Sequence, residues 1–578
     1  MTLDQKYIEE IKKFALQNAI KYNSIPQKKP VLGKILNLFP ILKNDVKDVM
    51  NIIDQIIKEL NEESYDKWVK KLIEIDKNLF DEIHTKKEPY KGLKELPNSK
   101  SKQIVMRFAP NPNGPPTIGS SRGMIINTEY TKKYGGKFIL RFDDTDPEQK
   151  RPLIDAYKWY IEDFKWLGII PDQIIYASDR LELYYDIAEK LINMNKAYVC
   201  FCGLNKFKDL KNNKIPCPHR SQSIDENMKY WKEMLNGVYK EKEAVLRIKT
   251  DINHKDPALR DWGAFRIIKK EHPRFISHEI NKNYIVWPLL DFEGAIEDHY
   301  TGTTHIIRGK DLQDSGKRQQ YIYNYLNWDY PITLHWGRIK IKEFGKLSTS
   351  GIKKSIDSGI YTGWDDPKLP TIRAIRKRGI QAEALKKLMI ELGVGETDIS
   401  VSMEALYAEN RKIIDPIANR YFFVWNPRKI TIENINVPIN VQLLKHPNSK
   451  NHFRYLKLNK NEIYICDDDV NNLLIGEKIR LKDLFNIEIK SLNPLVCSYL
   501  NNSLEYAKLN KIKIIHWLPV ENIVKLEVIK PNENITGFSE LEITNEINNV
   551  VQFERFGFCK IDNYDTKNKN LVAYYTHK

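Results

Sequence analysis

The stretch Arg107-Phe108-Ala109-Pro110-Asn111-Pro112-Asn113-Gly114-Pro115-Pro116-Thr117-Ile118-Gly119-Ser120 decides how the chain is read. It leaves a short apolar run, IVMRF (104–108), that reads as a strand. A helical pattern follows from about 119 to 134, then a second apolar run, KFILRF (137–142). Strand, Pro/Gly loop, helix and strand make a βαβ unit of a parallel sheet. Gly119 lets the backbone approach a ligand closely, and the helix N-terminus beside it offers free N–H groups to phosphate.

Two further stretches carry chemistry. In LRFDDTDP (140–147), Asp143, Asp144 and Asp146 follow a strand, where ligands bind in open α/β sheets. In KLSTSG (346–351), Lys346 opens a Gly/Ser loop, and Lys353 and Lys354 follow it. Such a loop can hold a polyphosphate and neutralise charge that develops when phosphate is displaced.

Working outward, helical patterns cover 153–167, 180–195 and 371–415, and strand patterns return at YIVWPLL (284–290) and THIIRG (304–309). From 421 to 578, short β-rich runs alternate with Asn and Pro turns, as antiparallel barrels do. Toward the N-terminus, Ile8, Ile11, Phe14 and Ala15 keep helical spacing, as do Val49, Ile52, Ile53, Ile56 and Ile57. The segment from Pro26 to Pro30 is expected to break these helices, and EPYKGLKELPNSKSK (88–102) reads as a linker.

Composition bounds the class. The 578 residues carry a formal charge of +16, which suits nucleic acid or an anionic membrane as partner. At 42% hydrophobic the chain is too apolar for a disordered tail, and no apolar run reaches 18 residues. The first residues lack the apolar core of a secretory signal, and six Cys are too sparse for a disulfide scaffold. Eleven Lys and Arg face four acids within 338–379, while 421–578 is nearly balanced, at 21 against 18. Charge gathered in this way speaks for a nucleic acid more than for a membrane surface.

Taken in order, the three motifs resemble those of class I aminoacyl-tRNA synthetases, in the glutamyl/glutaminyl branch and its archaeal glutamyl type. The first loop is similar to the branch's PxPNGxLHIGH signature, the second to its RFDDT motif, and the third sits where the KMSKS loop lies. VWPLLDF (286–292), THIIRGKD (304–311) and TGWDDPKLPTIRAIRKRG (362–379) extend the likeness, which runs from about 103 to the C-terminus. Thr117 and Ser120 stand where the family carries two His, and Thr349 stands at the second signature Lys. Hydroxyls still donate neutral hydrogen bonds to phosphate, at a cost of roughly 1–3 kcal/mol of transition-state stabilisation.

The resemblance implies an ATP- and Mg2+-dependent glutamate ligase acting on tRNA(Glu), and on tRNA(Gln) in some relatives. It assigns catalysis to Lys346, Thr117 and Ser120, and ATP contact to Pro110, Asn111, Gly119, Lys346 and Ser348. It places glutamate among Arg107, Asp143, Trp287, Asp291 and Arg308. Glutamyl enzymes carry Arg at the last position and glutaminyl enzymes a small uncharged residue. A buried guanidinium pairs with a γ-carboxylate and is left unpaired by an amide. Arg373, Arg376 and Lys377 share a helix face that the motif context assigns to RNA phosphate. Rival readings are a glutaminyl-tRNA synthetase and a non-catalytic tRNA-binding paralogue.

Cys200, Cys202, Cys217 and His219 form a C-x-C and C-x-H pair that suits tetrahedral Zn2+, the alternative being ordinary thiols. Cys466, Cys497 and Cys559, in strand patterns, and Trp262 and Trp336 are expected in the core; His305 is weighed between the nucleotide and the core. The expected architecture is an α/β Rossmann-type catalytic domain (96–199 and 285–345) interrupted by an acceptor-end-binding insertion (200–284). A signature loop and helical connector (346–420) leads to two all-β anticodon-binding barrels (421–578), and a helical appendage (1–95) precedes the whole. A cytoplasmic monomer with no membrane partner is expected.

Overall fold

The computed structural model describes residues 4–22, 24–84, 93–99, 103–280, 282–345, 349–449, 451–471 and 473–578. The chain divides into two compact units, Met1–Lys91 and Gly92–Lys578.

The first unit holds four α-helices, α1 (Gln5–Tyr22), α2 (Lys28–Leu38), α3 (Val46–Asn61) and α4 (Tyr65–His84). Helical spacing brings Ile11 and Ala15 of α1 and Val49, Ile53, Ile56 and Leu60 of α3 into one core with Val31, Ile35, Trp68 and Leu72. The helices break around Pro26, between Tyr22 and Lys28, as expected, while Pro30 lies in the first turn of α2. The N–H groups of a first turn have no partner inside the helix, so proline removes nothing there.

Near the expected boundary at 96, the chain is already packed into the second unit. Leu96 is buried among Ile104, Met106, Ile126, Tyr130 and Ile307, and its N–H donates to the Tyr134 hydroxyl at 2.9 Å. The βαβ unit consists of β1 (Val105–Phe108), α5 (Ile118–Tyr134) and β2 (Lys137–Phe142). It continues through α6 (Ile154–Trp166) to β3 (Gln173–Tyr176). A second, antiparallel sheet follows in chain order, β4 (Ala197–Cys200), β5 (Val245–Ile248), β6 (Trp262–Ile267) and β7 (Val286–Pro288). The chain then returns as β8 (His305–Gly309) and β9 (Ile332–Trp336) to complete a five-stranded parallel sheet of order β3-β2-β1-β8-β9. The strand order reverses between β1 and β8, and ligands bind outside the strand C-termini at such a point.

Residues 371–415 are not wholly helical. Three helices are interrupted by Ile399–Val401, which pairs in parallel with Ile339–Ile341. Three residues are too few to show a period, and only the distant partner makes them a strand. The C-terminal region contains two seven-stranded sheets and a two-stranded ribbon. Arg420–Tyr421 and Phe423–Trp425 join one sheet, beside Val550–Phe553 and Asn534–Glu540, before the chain builds the other from Pro427–Glu433 onward. Cys466, Cys497 and Cys559 are buried in these sheets. Among the described residues no helix is long and apolar enough to cross a membrane.

Candidate active site

Because β2, β1 and β8 are parallel neighbours, their C-terminal ends bring residues far apart in sequence side by side. Arg107 and Phe108 end β1, Arg141 and Phe142 end β2 ahead of Asp143, and Arg308 and Gly309 end β8. All of these but the buried Phe142, together with Leu312, Ser315, Gln319 and Trp336, line a cleft of about 210 Å3. Three of the residues assigned to glutamate, Arg107, Asp143 and Arg308, therefore share one cavity.

Ion pairs run behind this cleft. Asp298, on the helix Leu290–Tyr300, accepts from Arg107 Nε at 3.0 Å and from Arg141 Nη1 at 2.8 Å on the same oxygen. Arg141 Nε donates to Asp143 at 2.6 Å. Burial alone would push the Asp298 carboxyl up, but the two guanidiniums hold it down at about 2. Arg141 is buried as well, yet Asp143 and Asp298 keep it firmly protonated. Glu293 behaves oppositely. Burial, with Asp143 nearby, pushes its carboxyl well up. Thr145 donates to it.

Arg308 differs from the other two guanidiniums. It donates to Gln319 Oε1 at 3.1 Å and to the Tyr330 hydroxyl at 2.7 Å. Among the described residues it forms no ion pair, its Nε has no partner, and burial lowers its pKa. A Cβ at Gly316 would lie 2.7 Å from Arg308 Nη2, and one at Gly294 would lie 2.9 Å from Gln319 Nε2. The absence of side chains at these two positions makes room for the Arg308 assembly.

The Pro/Gly loop is fastened at both ends. Asn111 Nδ2 donates to the Asp143 carbonyl at 2.9 Å, and the Asp143 N–H donates to the Pro110 carbonyl at 2.9 Å. Asn111 Oδ1 is buried with no partner among the described residues. Farther along, Ile118 N–H donates to Pro370 O and Ile372 N–H to Pro116 O, both at 2.9 Å. Gly114 lies against Thr349 and Trp364, so the first and third motif regions meet. Gly119 is exposed at the start of α5.

Other assigned residues lie outside the cleft lining or make further contacts. Thr117 and Ser120 form a reciprocal capping box at the start of α5, with Ser120 N–H donating to Thr117 Oγ1 at 3.2 Å and Thr117 N–H to Ser120 Oγ at 2.8 Å. Their hydroxyls serve the helix end first. Trp287 does not line the cleft; it is fully buried in the core of the second sheet, where it stacks with His272. Asp291 is also outside the lining, paired with Arg318 at 2.6 Å. Trp336 packs against the cluster of Met106, Tyr130 and Ile307, and it also lines the cleft. Trp262 and His305 are buried, His305 bonding the Pro97 carbonyl. Arg373, Arg376 and Lys377 are not free cations: they pair with Glu162, Asp163 and Asp365 at 2.6, 3.5 and 2.8 Å. Lys346 and Ser348 lie outside the described residues.

The four candidate metal ligands do converge. The ligand atoms of Cys200, Cys202, Cys217 and His219 all lie within 4.8 Å of one another. Cys217 Sγ is 3.5 Å from Cys200 Sγ, 3.6 Å from Cys202 Sγ and 3.4 Å from His219 Nδ1. With metal–ligand bonds of about 2.3 Å to sulfur and 2.0–2.1 Å to nitrogen, tetrahedral zinc requires edges of this size. The donor set and its spacing fit the metal.

Comparison with known proteins agrees with this geometry. The family described as "tRNA synthetases class I (E and Q), catalytic domain" matches residues 103–416. The corresponding "anti-codon binding domain" descriptions match 418–499 and 514–562. A protein of Methanosarcina mazei named glutamate--tRNA ligase is 56% identical, with 100% of both chains covered. A protein of the same name from Methanosarcina barkeri is 56% identical over 100% of both chains. One from Archaeoglobus fulgidus is 50% identical over 98% of this chain and 100% of its own. The chain belongs to the class I tRNA synthetases of the E and Q family, beside archaeal members named glutamate--tRNA ligase.

Proposed function

We propose that the chain is a glutamate–tRNA ligase. A carboxylate oxygen of L-glutamate attacks the α-phosphorus of ATP, and pyrophosphate leaves with Mg2+ balancing its charge. The resulting glutamyl-adenylate passes its acyl group to the 3′-terminal ribose of tRNA, releasing AMP. Such chemistry needs positioning and charge stabilisation more than covalent help. The parallel sheet supports the Rossmann-type reading of 96–199 and 285–345. In this reading the 200–284 segment meets the tRNA acceptor end and the C-terminal sheets meet the anticodon. The enzyme acts as a cytoplasmic monomer on tRNA(Glu).

The observation that carries the reading is Arg308, a buried guanidinium in the cleft wall without a carboxylate. Arg107 and Arg141 are balanced by Asp298 and Asp143, so Arg308 leaves the cleft with one uncompensated positive charge. Glutamate, with a net charge of −1, completes it, whereas glutamine does not. Asp143, at the mouth of β2, suits the substrate ammonium. The helix N-terminus at Gly119, with Pro110 and Asn111, suits the triphosphate, and Lys346 and Ser348 are assigned to the same ligand. Bound Zn2+ would brace the insertion through Cys200, Cys202, Cys217 and His219, and no reaction step runs through it.

The test is aminoacylation of purified tRNA(Glu) and tRNA(Gln) with glutamate and glutamine. Charging with glutamate is expected. Charging with glutamine alone would establish the glutaminyl reading, and no tRNA-dependent ATP–pyrophosphate exchange would favour a non-catalytic binding protein.

A further inference from the structure

Arg107, Arg141 and Asp143 line the cleft. Arg107 is tied directly to a carboxylate behind it, and Asp143 is tied to the same carboxylate through Arg141. Asp298 is 1% exposed and does not belong to the lining. One of its oxygens accepts from Arg107 Nε at 3.0 Å and from Arg141 Nη1 at 2.8 Å. The other accepts from Arg107 Nη2 at 3.3 Å. Arg141 in turn grips Asp143 through Nε at 2.6 Å and Nη2 at 3.3 Å. The result is an unbroken line, Arg107–Asp298–Arg141–Asp143, with two cations, two anions and no net charge.

We propose that Asp298 is a positioning residue for glutamate: it sets the Arg107 guanidinium directly and the Asp143 carboxylate through Arg141. This inference rests on the glutamate–tRNA ligase reading. Two consequences follow. The two groups at the ends of the line keep a fixed separation, because each is held by at least two hydrogen bonds in a buried site. The line is also neutral, so the cleft's uncompensated charge resides on Arg308. Without the Asp298 charge, Arg107 and Arg141 become two unbalanced cations, and Arg107 is free to take a substrate carboxylate in other geometries.

The experiment compares steady-state charging by the full-length wild-type enzyme and its Asp298→Asn and Asp298→Glu variants, with KM measured separately for glutamate and ATP. Asp298→Asn is expected to raise the glutamate KM at least tenfold and to leave the ATP KM within twofold. Asp298→Glu keeps the charge but displaces it by a methylene, and is expected to recover part of that loss. A merely structural role lowers the amount of active enzyme, hence apparent kcat, at unchanged glutamate KM. Wild-type glutamate KM in folded Asp298→Asn, or equal shifts for both substrates, overturns the inference. Should Asp298→Asn fail to fold, Asp298→Glu decides alone: an unchanged glutamate KM overturns the proposal, and a rise confined to glutamate supports it. A wild-type enzyme that charges no glutamate refutes the underlying reading instead.

Discussion

Replacing Arg308 with Gln removes the cleft's uncompensated charge while keeping a side chain that can hydrogen bond. The structure sets the scale. Arg308 is 7% exposed, so its pairing with a γ-carboxylate is largely desolvated. Removing one partner of such a buried pair costs about 3–5 kcal/mol. At 1.36 kcal/mol per factor of ten, kcat/KM for glutamate should fall by roughly two to four orders of magnitude. Glutamine has no charge to lose, so its kcat/KM should change little and the preference for glutamate should collapse. Folding should suffer less than activity. The Tyr330 hydroxyl already donates to Gln319 Oε1 at 3.0 Å, so the two former partners of Arg308 satisfy each other. A stability loss of about 1–2 kcal/mol is expected from the missing hydrogen bonds. The assay is tRNA-dependent ATP–pyrophosphate exchange with each amino acid, alongside a denaturant titration of the same preparations. Retention of the wild-type glutamate-to-glutamine ratio within threefold, in a folded Arg308→Gln enzyme, would refute the reasoning.

Other outcomes test the remaining parts. Purified protein should hold one equivalent of zinc, and Cys217→Ser, which removes the thiol nearest the other three ligands, should lose it and lower the Tm by several degrees. Elemental analysis and calorimetry check this, and equal sub-stoichiometric zinc in both proteins counts against the site. Thr117→Ala should cost about 1 kcal/mol in urea unfolding through loss of the α5 cap, and an unchanged midpoint would remove the cap from the account. His516 stacks on Phe422, and burial, with Lys482, Arg555 and Arg454 nearby, pushes its pKa down to about 3. The unfolded chain therefore binds the extra proton between about pH 6.5 and 3. The stability held above pH 6.5 is lost as pH falls, by up to about 1.4 kcal/mol per pH unit. His516→Phe should flatten that acid limb, and parallel denaturation curves for the two proteins would show that His516 does not contribute.

The strands and helices around the Pro/Gly loop were legible because their signals are local. KFILRF spans β2 residue for residue, and the helix after the loop begins at Ile118, one residue from its expected start. The Cys and His quartet was legible too, since two close pairs separated by one short helix need little more than the chain's return to meet. The tryptophans were not. Trp287 and Trp336 both lie in short strand patterns, and only the packing of their two different sheets decides that the former is core and the latter borders the cleft. The helix face with Arg373, Arg376 and Lys377 carries the same periodicity whether it meets RNA or acids, and the acids lie on α6 and near Asp365.

By itself, then, the sequence determined the βαβ unit, the order of the motifs and the Cys/His cluster, since each is written in spacings of a few residues. Tertiary structure decided which charges are spent and which remain. Arg107 meets Asp298 across 191 residues, and Arg308 meets no carboxylate at all among the described residues. Parallel strands bring their C-terminal ends together through long crossovers, so the partners of a charge at one strand end lie on segments whose distance in sequence no local pattern records.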